Sequence, residues 1–131
     1  MNITLKLAQQ LITNTIEIAT SKNQQVAVAI VDAHGELLAY ARMDGTALHA
    51  GVLAQNKAYT SARDRQKTSS LAKWAQQTGK DLAYWTDVKF TGIAGGVPIE
   101  SNQGVIGAIG ISGLAEEDDE ALALNVLKIS L

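Results

Sequence analysis

Residues 91–113 read TGIAGGVPIESNQGVIGAIGISG and hold seven of the chain's eleven glycines, its only proline and one charged residue, Glu100. Two apolar runs, 92–100 and 104–112, flank the polar turn Ser101-Asn102-Gln103-Gly104, the pattern of a β-hairpin. In the second run, alternation predicts that Val105, Gly107, Ile109 and Ile111 share one face, and Ile106, Ala108 and Gly110 the other. Neither face is polar, so this hairpin has to be covered on both sides. Its glycines allow a helix, a second subunit or a flat ligand to come close to the backbone.

The rest of the chain supplies the cover. Residues 3–21 place Leu5, Ala8, Ile12, Thr15, Ile16 and Ala19 on one helical face, with Asn2 or Thr4 as candidate N-caps. The β-branched run 26–32 shows no alternation, as in a strand buried on both faces, and the turn Ala33-His34-Gly35 returns the chain antiparallel over 36–42. After Met43-Asp44-Gly45 a helix begins, with Asp44 or Thr46 as its cap and a methyl-sized stripe of Ala47, Ala50, Ala54, Ala58 and Ala62. Shorter helical pieces follow over 68–77 and 81–87, joined at Gly79, where Trp74, Tyr84 and Trp85 gather half of the aromatic residues. The acidic run 116–120 complements the positive end of a closing helix over 121–131. The order predicts an α+β fold, an antiparallel sheet flanked by helices, with no βαβ repetition of a Rossmann or TIM type.

Composition sets the outer bounds. A chain of 131 residues that is 47% apolar and 18% charged suits one domain over its whole length. A net charge of -2 creates no field to gather nucleic acid or an anionic membrane, and the cations clustered between Lys57 and Lys80 read as a solvated helix face. Without cysteine there is no disulfide, Fe–S cluster or thiolate chemistry. The first twenty residues form neither a signal-peptide core nor a membrane span, which leads to the expectation of a cytoplasmic protein.

Few residues are placed for chemistry. The glycines of Gly107-Ala108-Ile109-Gly110 match neither a dinucleotide fingerprint nor a P-loop and read as close packing. At Arg42-Met43-Asp44-Gly45-Thr46 a strand end brings a guanidinium beside a helix start whose free N–H groups attract a carboxylate or phosphate. The plainer reading of Arg42 is an ion pair with Asp44 or Asp32. Lys57 adds a second cation further along the helix. Of the two histidines, His34 sits on an exposed turn, whereas His49 falls in the first turn of the small-residue helix, where the dipole would leave the ring able to bind a metal; the plainer reading of His49 alone is a surface histidine. Neither a three-histidine zinc site nor a Ser-His-Asp triad is supported.

Val31-Asp32 with Gly35, Arg42-Met43-Asp44-Gly45, residues 57–62 (KAYTSA), residues 95–99 (GGVPI) and residues 107–113 (GAIGISG) occur in the order and spacing of the GlcG/HbpS family, which the chain resembles over nearly its whole length. The same domain forms the C-terminal part of PduO-type adenosyltransferases, and a glycolate-utilisation accessory protein gives the family one of its names. His34 departs from the usual Gly-Gly turn, and Leu124-Asn125 stands where a small pair is common. The resemblance implies a profilin- or PAS-like sheet, a homo-oligomer and, in several members, haem binding; it does not by itself imply an enzyme. Secreted members of the family carry a leader, and the expectation here is of a protein without one. The leading expectation is a cytoplasmic binding or accessory protein for haem or a related tetrapyrrole, with His49 as iron ligand. Arg42 and Lys57 are the candidate propionate partners, and Asp44 and Gly45 complete the site. Two alternatives stand beside it: an enzyme or enzyme accessory for a small organic acid of glycolate or diol metabolism at Arg42 and Gly45-Thr46, and a structural oligomer that stabilises partner enzymes.

Overall fold

The computed structural model describes residues 2–131 as a four-stranded antiparallel sheet flanked by helices, the α+β arrangement expected from the sequence. The chain runs α1 (Leu5–Ser21), β1 (Ala27–Asp32), β2 (Leu37–Arg42), α2 (Ala50–Asp64), α3 (Thr68–Thr78), a 3-10 turn (Leu82–Trp85), β3 (Gly96–Ser101), β4 (Gly104–Ser112) and α4 (Glu116–Ser130). The sheet order is β2-β1-β4-β3, so β4 of the central hairpin pairs with both β3 and β1.

The two faces differ in side-chain size. Val28 and Ile30 of β1, Val97 and Ile99 of β3, and Ile109 and Ile111 of β4 form a large aliphatic layer beneath Leu11 of α1 and Leu122 and Val126 of α4. Across the sheet, Ala27, Ala29, Val31 and Ala108 meet Ala50, Ala54, Ala58 and Ala62 of α2. Small residues on both surfaces bring α2 against the backbone of β4. A Cβ on Gly110 would collide with the Ala54 carbonyl oxygen and lie 2.6 Å from the Ala58 nitrogen. Thr4 caps α1 by accepting the Leu7 N–H at 3.1 Å, and Gly35 closes the first hairpin at φ 93° beneath Tyr59 and Arg63.

Several expected boundaries shift, each for a local reason. Ile106 joins Ile109 and Ile111 instead of Ala108, because pairing passes from Ile99↔Gly107 to Glu100↔Val105 and leaves Ile106 as a bulge residue. Strand β3 begins at Gly96 and not near residue 92, since side chains take the preceding amides: Thr60 Oγ1 accepts from Thr91, Thr91 Oγ1 from Ile93, and Glu116 from Ala94. Helix α2 begins at Ala50 with His49 as N-cap. Thr46 spends its hydroxyl on the Met43 carbonyl, so neither it nor Asp44 caps the helix, and Ala47 is exposed ahead of the buried alanine stripe. The segment 81–87 tightens to a single 3-10 turn, held by edge contacts of Trp85 with Trp74 and by its packing on Phe90. Helix α4 incorporates the acidic run from Glu116 onward.

Candidate functional site

Strand β2 ends at Arg42, and the chain turns through Met43–Leu48 before α2 starts, leaving Arg42, Asp44, Gly45 and His49 exposed on one end of the molecule. Gly45 takes φ 76°, which permits the sharp reversal, and Arg42, Met43, Asp44, Gly45, Thr46 and Leu48 line a groove of about 340 Å³. Neither ion pair expected for Arg42 forms. Asp32 instead accepts the His34 and Glu36 N–H groups at 2.8 and 3.1 Å to shape its own turn, and no acidic partner lies within salt-bridge distance of Arg42 among the described residues. The fold therefore holds an unpaired guanidinium at the strand end.

His49 stands at the N-cap with a backbone at φ -78°, ψ -13°, and its neighbours in the sequence and one turn on are apolar and open: Leu48 is 93% exposed and Val52 68%. Tyr40, on β2, is also exposed, and its hydroxyl lies beside Gly51, two residues after His49, whereas Leu37 is exposed at the far end of the same strand beside Gly35 and Glu36. No three His, Asp or Glu side chains gather as metal ligands among the described residues.

Lys57 does not join this group. It is fully buried, and its Nζ donates to the Ile111 carbonyl at 2.8 Å and to Asp119 Oδ2 at 3.0 Å. Asp119 is also buried and accepts the Leu114 N–H through Oδ1 at 3.0 Å. Burial pushes the Lys57 ammonium below its ordinary value and the Asp119 carboxyl above its own, while their mutual hydrogen bond and charge oppose both shifts. Gly95, at φ 133°, makes the space: a Cβ there would meet the Ile111 oxygen and lie 2.7 Å from Lys57 Nζ. The cation expected at a ligand's edge is consequently an internal tie between α2, β4 and α4, inaccessible to a propionate.

Asp119 was hidden in sequence by its acidic neighbours, which read together as a solvated first turn. A signal was nevertheless present: Asp119, Leu122, Ala123 and Val126 fall at helical spacing and are all buried on one face of α4. A second polar pair, unmarked in the sequence, joins Tyr59 and Asp87. The Tyr59 hydroxyl donates to Asp87 Oδ2 at 2.6 Å, raising the tyrosine and lowering the carboxyl from their ordinary values, while Arg63 and Lys89 lie 5.2 and 5.1 Å from the Tyr59 ring centre.

Similarity to known proteins extends over nearly the whole chain. A family described as haem degrading protein HbpS-like matches residues 3–128. Protein GlcG of Escherichia coli K12 is 35% identical over 107 residues, covering 82% of this chain and 78% of GlcG. Among solved structures, a PduOC:heme complex superposes with a TM-score of 0.90 at 28% identity, covering 100% of this chain and 96% of that one. A doubly substituted HbpS of Streptomyces reticuli gives 0.89 at 27%, covering 98% and 87%. With a family match across nearly the whole sequence and a fold shared with these structures, the chain belongs to the HbpS-like family.

Proposed function

We propose that the protein is an oligomeric accessory protein that binds haem or a related tetrapyrrole at the start of α2. The observation that carries this reading is the exposed apolar surface of Leu48 and Val52 on either side of His49, adjoining the groove lined by Arg42, Asp44 and Gly45. A tetrapyrrole brings its own nitrogen donors and asks of the protein one axial ligand, an apolar surface and a cation at its acidic edge. His49, Leu48 with Val52, and Arg42 meet those needs in turn. A heme complex of a protein that shares this fold supports the choice of ligand.

Self-association belongs to the same proposal. Leu48 and Val52 would otherwise face water, and β2 is an edge strand whose residues 37–41 include no proline or charge to discourage pairing. A second copy over this end would cover both the strand and one side of a flat ligand.

Ferric haem titrated into the purified protein should give a saturable Soret change at no more than one haem per chain. His49→Ala should shift the band or abolish it, while Arg42→Ala should weaken binding and leave the iron spectrum unaltered; His34→Ala, on a remote exposed turn, should behave as the parent. Saturable binding that is indifferent to His49 would remove it as ligand. The absence of any saturable change would leave Arg42 to the small-organic-acid reading.

A further inference from the structure

A second groove lies on the other side of Arg42, between the C-terminal turns of α1, the loop before β1 and the end of β2. It measures about 420 Å³ and is lined by Ile16, Thr20, Asn23, Gln24, Gln25, Arg42, Met43 and Asp44. Gln24 contributes the one buried side-chain polar atom without a hydrogen-bond partner among the described residues, its Oε1. Buried acceptors in folded proteins are satisfied in the great majority of cases, so an unpartnered oxygen just behind a groove wall calls for a donor, one that a turn of the Gln24 amide toward the groove would let it meet. Arg42, on the same groove, is the unpaired guanidinium described above, and Asp44 likewise has no cation within salt-bridge distance among the described residues.

We infer that this groove is a site for a small amino-carboxylate, a molecule carrying both a carboxylate and a protonated amine. The guanidinium supplies a forked donor for the carboxylate. Three features ask for a donor with positive charge: the orphan oxygen of Gln24, the Asp44 carboxylate, and the C-terminal end of α1, whose dipole favours cations. An anion with no ammonium would answer Arg42 and meet the negative end of α1 and Asp44; an amine with no carboxylate would leave Arg42 unanswered. Ile16 and Met43 provide short apolar walls, which suits a linker of few carbons. This inference does not rest on the tetrapyrrole reading. Gln24 belongs only to this groove, whereas Leu48, beside His49, belongs only to the other.

The test is a titration of the intact protein, followed by amide chemical shifts, with glycine, β-alanine and 4-aminobutanoate as probes of linker length. Propionate and butylamine serve as controls that each lack one charge. At least one amino-carboxylate should give saturable shifts confined to residues 16–25 and 42–44 at millimolar concentration, with both controls at least tenfold weaker. Gln24→Leu and Arg42→Gln should each weaken binding about tenfold, corresponding to roughly 1.4 kcal/mol, and His49→Ala should leave it unchanged. Propionate binding as tightly as the amino acids would overturn the assignment in favour of a simple anion site. So would shifts that never saturate, or binding insensitive to Gln24→Leu in a variant whose spectrum shows it folded.

Discussion

Lys57 illustrates how much one side chain's role depends on what lies above it in space. As a charged residue on α2 it invites an assignment to ligand binding, yet the fold closes Gly95, Ile111 and Asp119 over its ammonium. Breaking such a buried pair from one side leaves an uncompensated charge, so Lys57→Met alone should lower unfolding free energy by about 3–5 kcal/mol. The double variant Lys57→Met/Asp119→Asn retains an acceptor for the Leu114 N–H and removes both charges, and it should recover most of that loss. Chemical denaturation of both variants measures the difference; equal destabilisation would show that packing, and not charge, dominates the site. The Tyr59–Asp87 bond makes a separate prediction about pH. Asp87 is lowered, so its contribution is present above its ordinary value of 3.8 and lost as pH falls through its folded value; Tyr59 is raised, so its contribution is present below 10.0 and lost as pH rises through its folded value. Tyr59→Phe should therefore be less stable than the parent across the neutral range, with the gap closing toward both acid and alkaline extremes in thermal melts.

At the level of elements, the contact between α2 and β4 sets how close the two layers lie. Alanines at four-residue spacing on the helix and Ala108 with Gly110 on the strand leave room for no further atoms. Gly110→Ala already places a methyl group on the Ala54 carbonyl, and Gly110→Val adds two more carbons. Overpacking of this kind costs about 1–3 kcal/mol and more where backbone cannot move, so the melting temperature should fall for Ala and further for Val. A Gly110→Ala protein that melts with the parent would mean that α2 can lift from the sheet at little cost. Gly104 is the internal control, because a Cβ there meets nothing within 4 Å and only its φ of 102° opposes substitution.

For the whole molecule, the exposed end formed by β2 and the start of α2 leads to a prediction about assembly. Light scattering should show more than one copy at micromolar concentration, and Val52→Glu, which puts a charge on the exposed side of α2, should shift the protein toward monomer without lowering its melting temperature as Gly110→Val does. A monomeric parent would remove the interface and with it a cover for the ligand. Much of the architecture behind these expectations was legible in the residues alone: the helical period of α1, although its buried face runs through Leu11 and leaves Leu5 exposed, the doubly apolar β1, the alanine stripe of α2, and a central hairpin whose glycines required cover. Those features follow from periodicity and side-chain size, which act locally and repeat along the chain. The chain by itself could not say that Ile106 sits in a bulge, that Lys57 points inward to Asp119, that Arg42 lacks both of its expected acidic partners, or that Gln24 presents an unpartnered oxygen beside it. Each of these depends on which atoms from distant segments meet at one point, and burial and hydrogen bonding at a point are decided only when all the layers close around it.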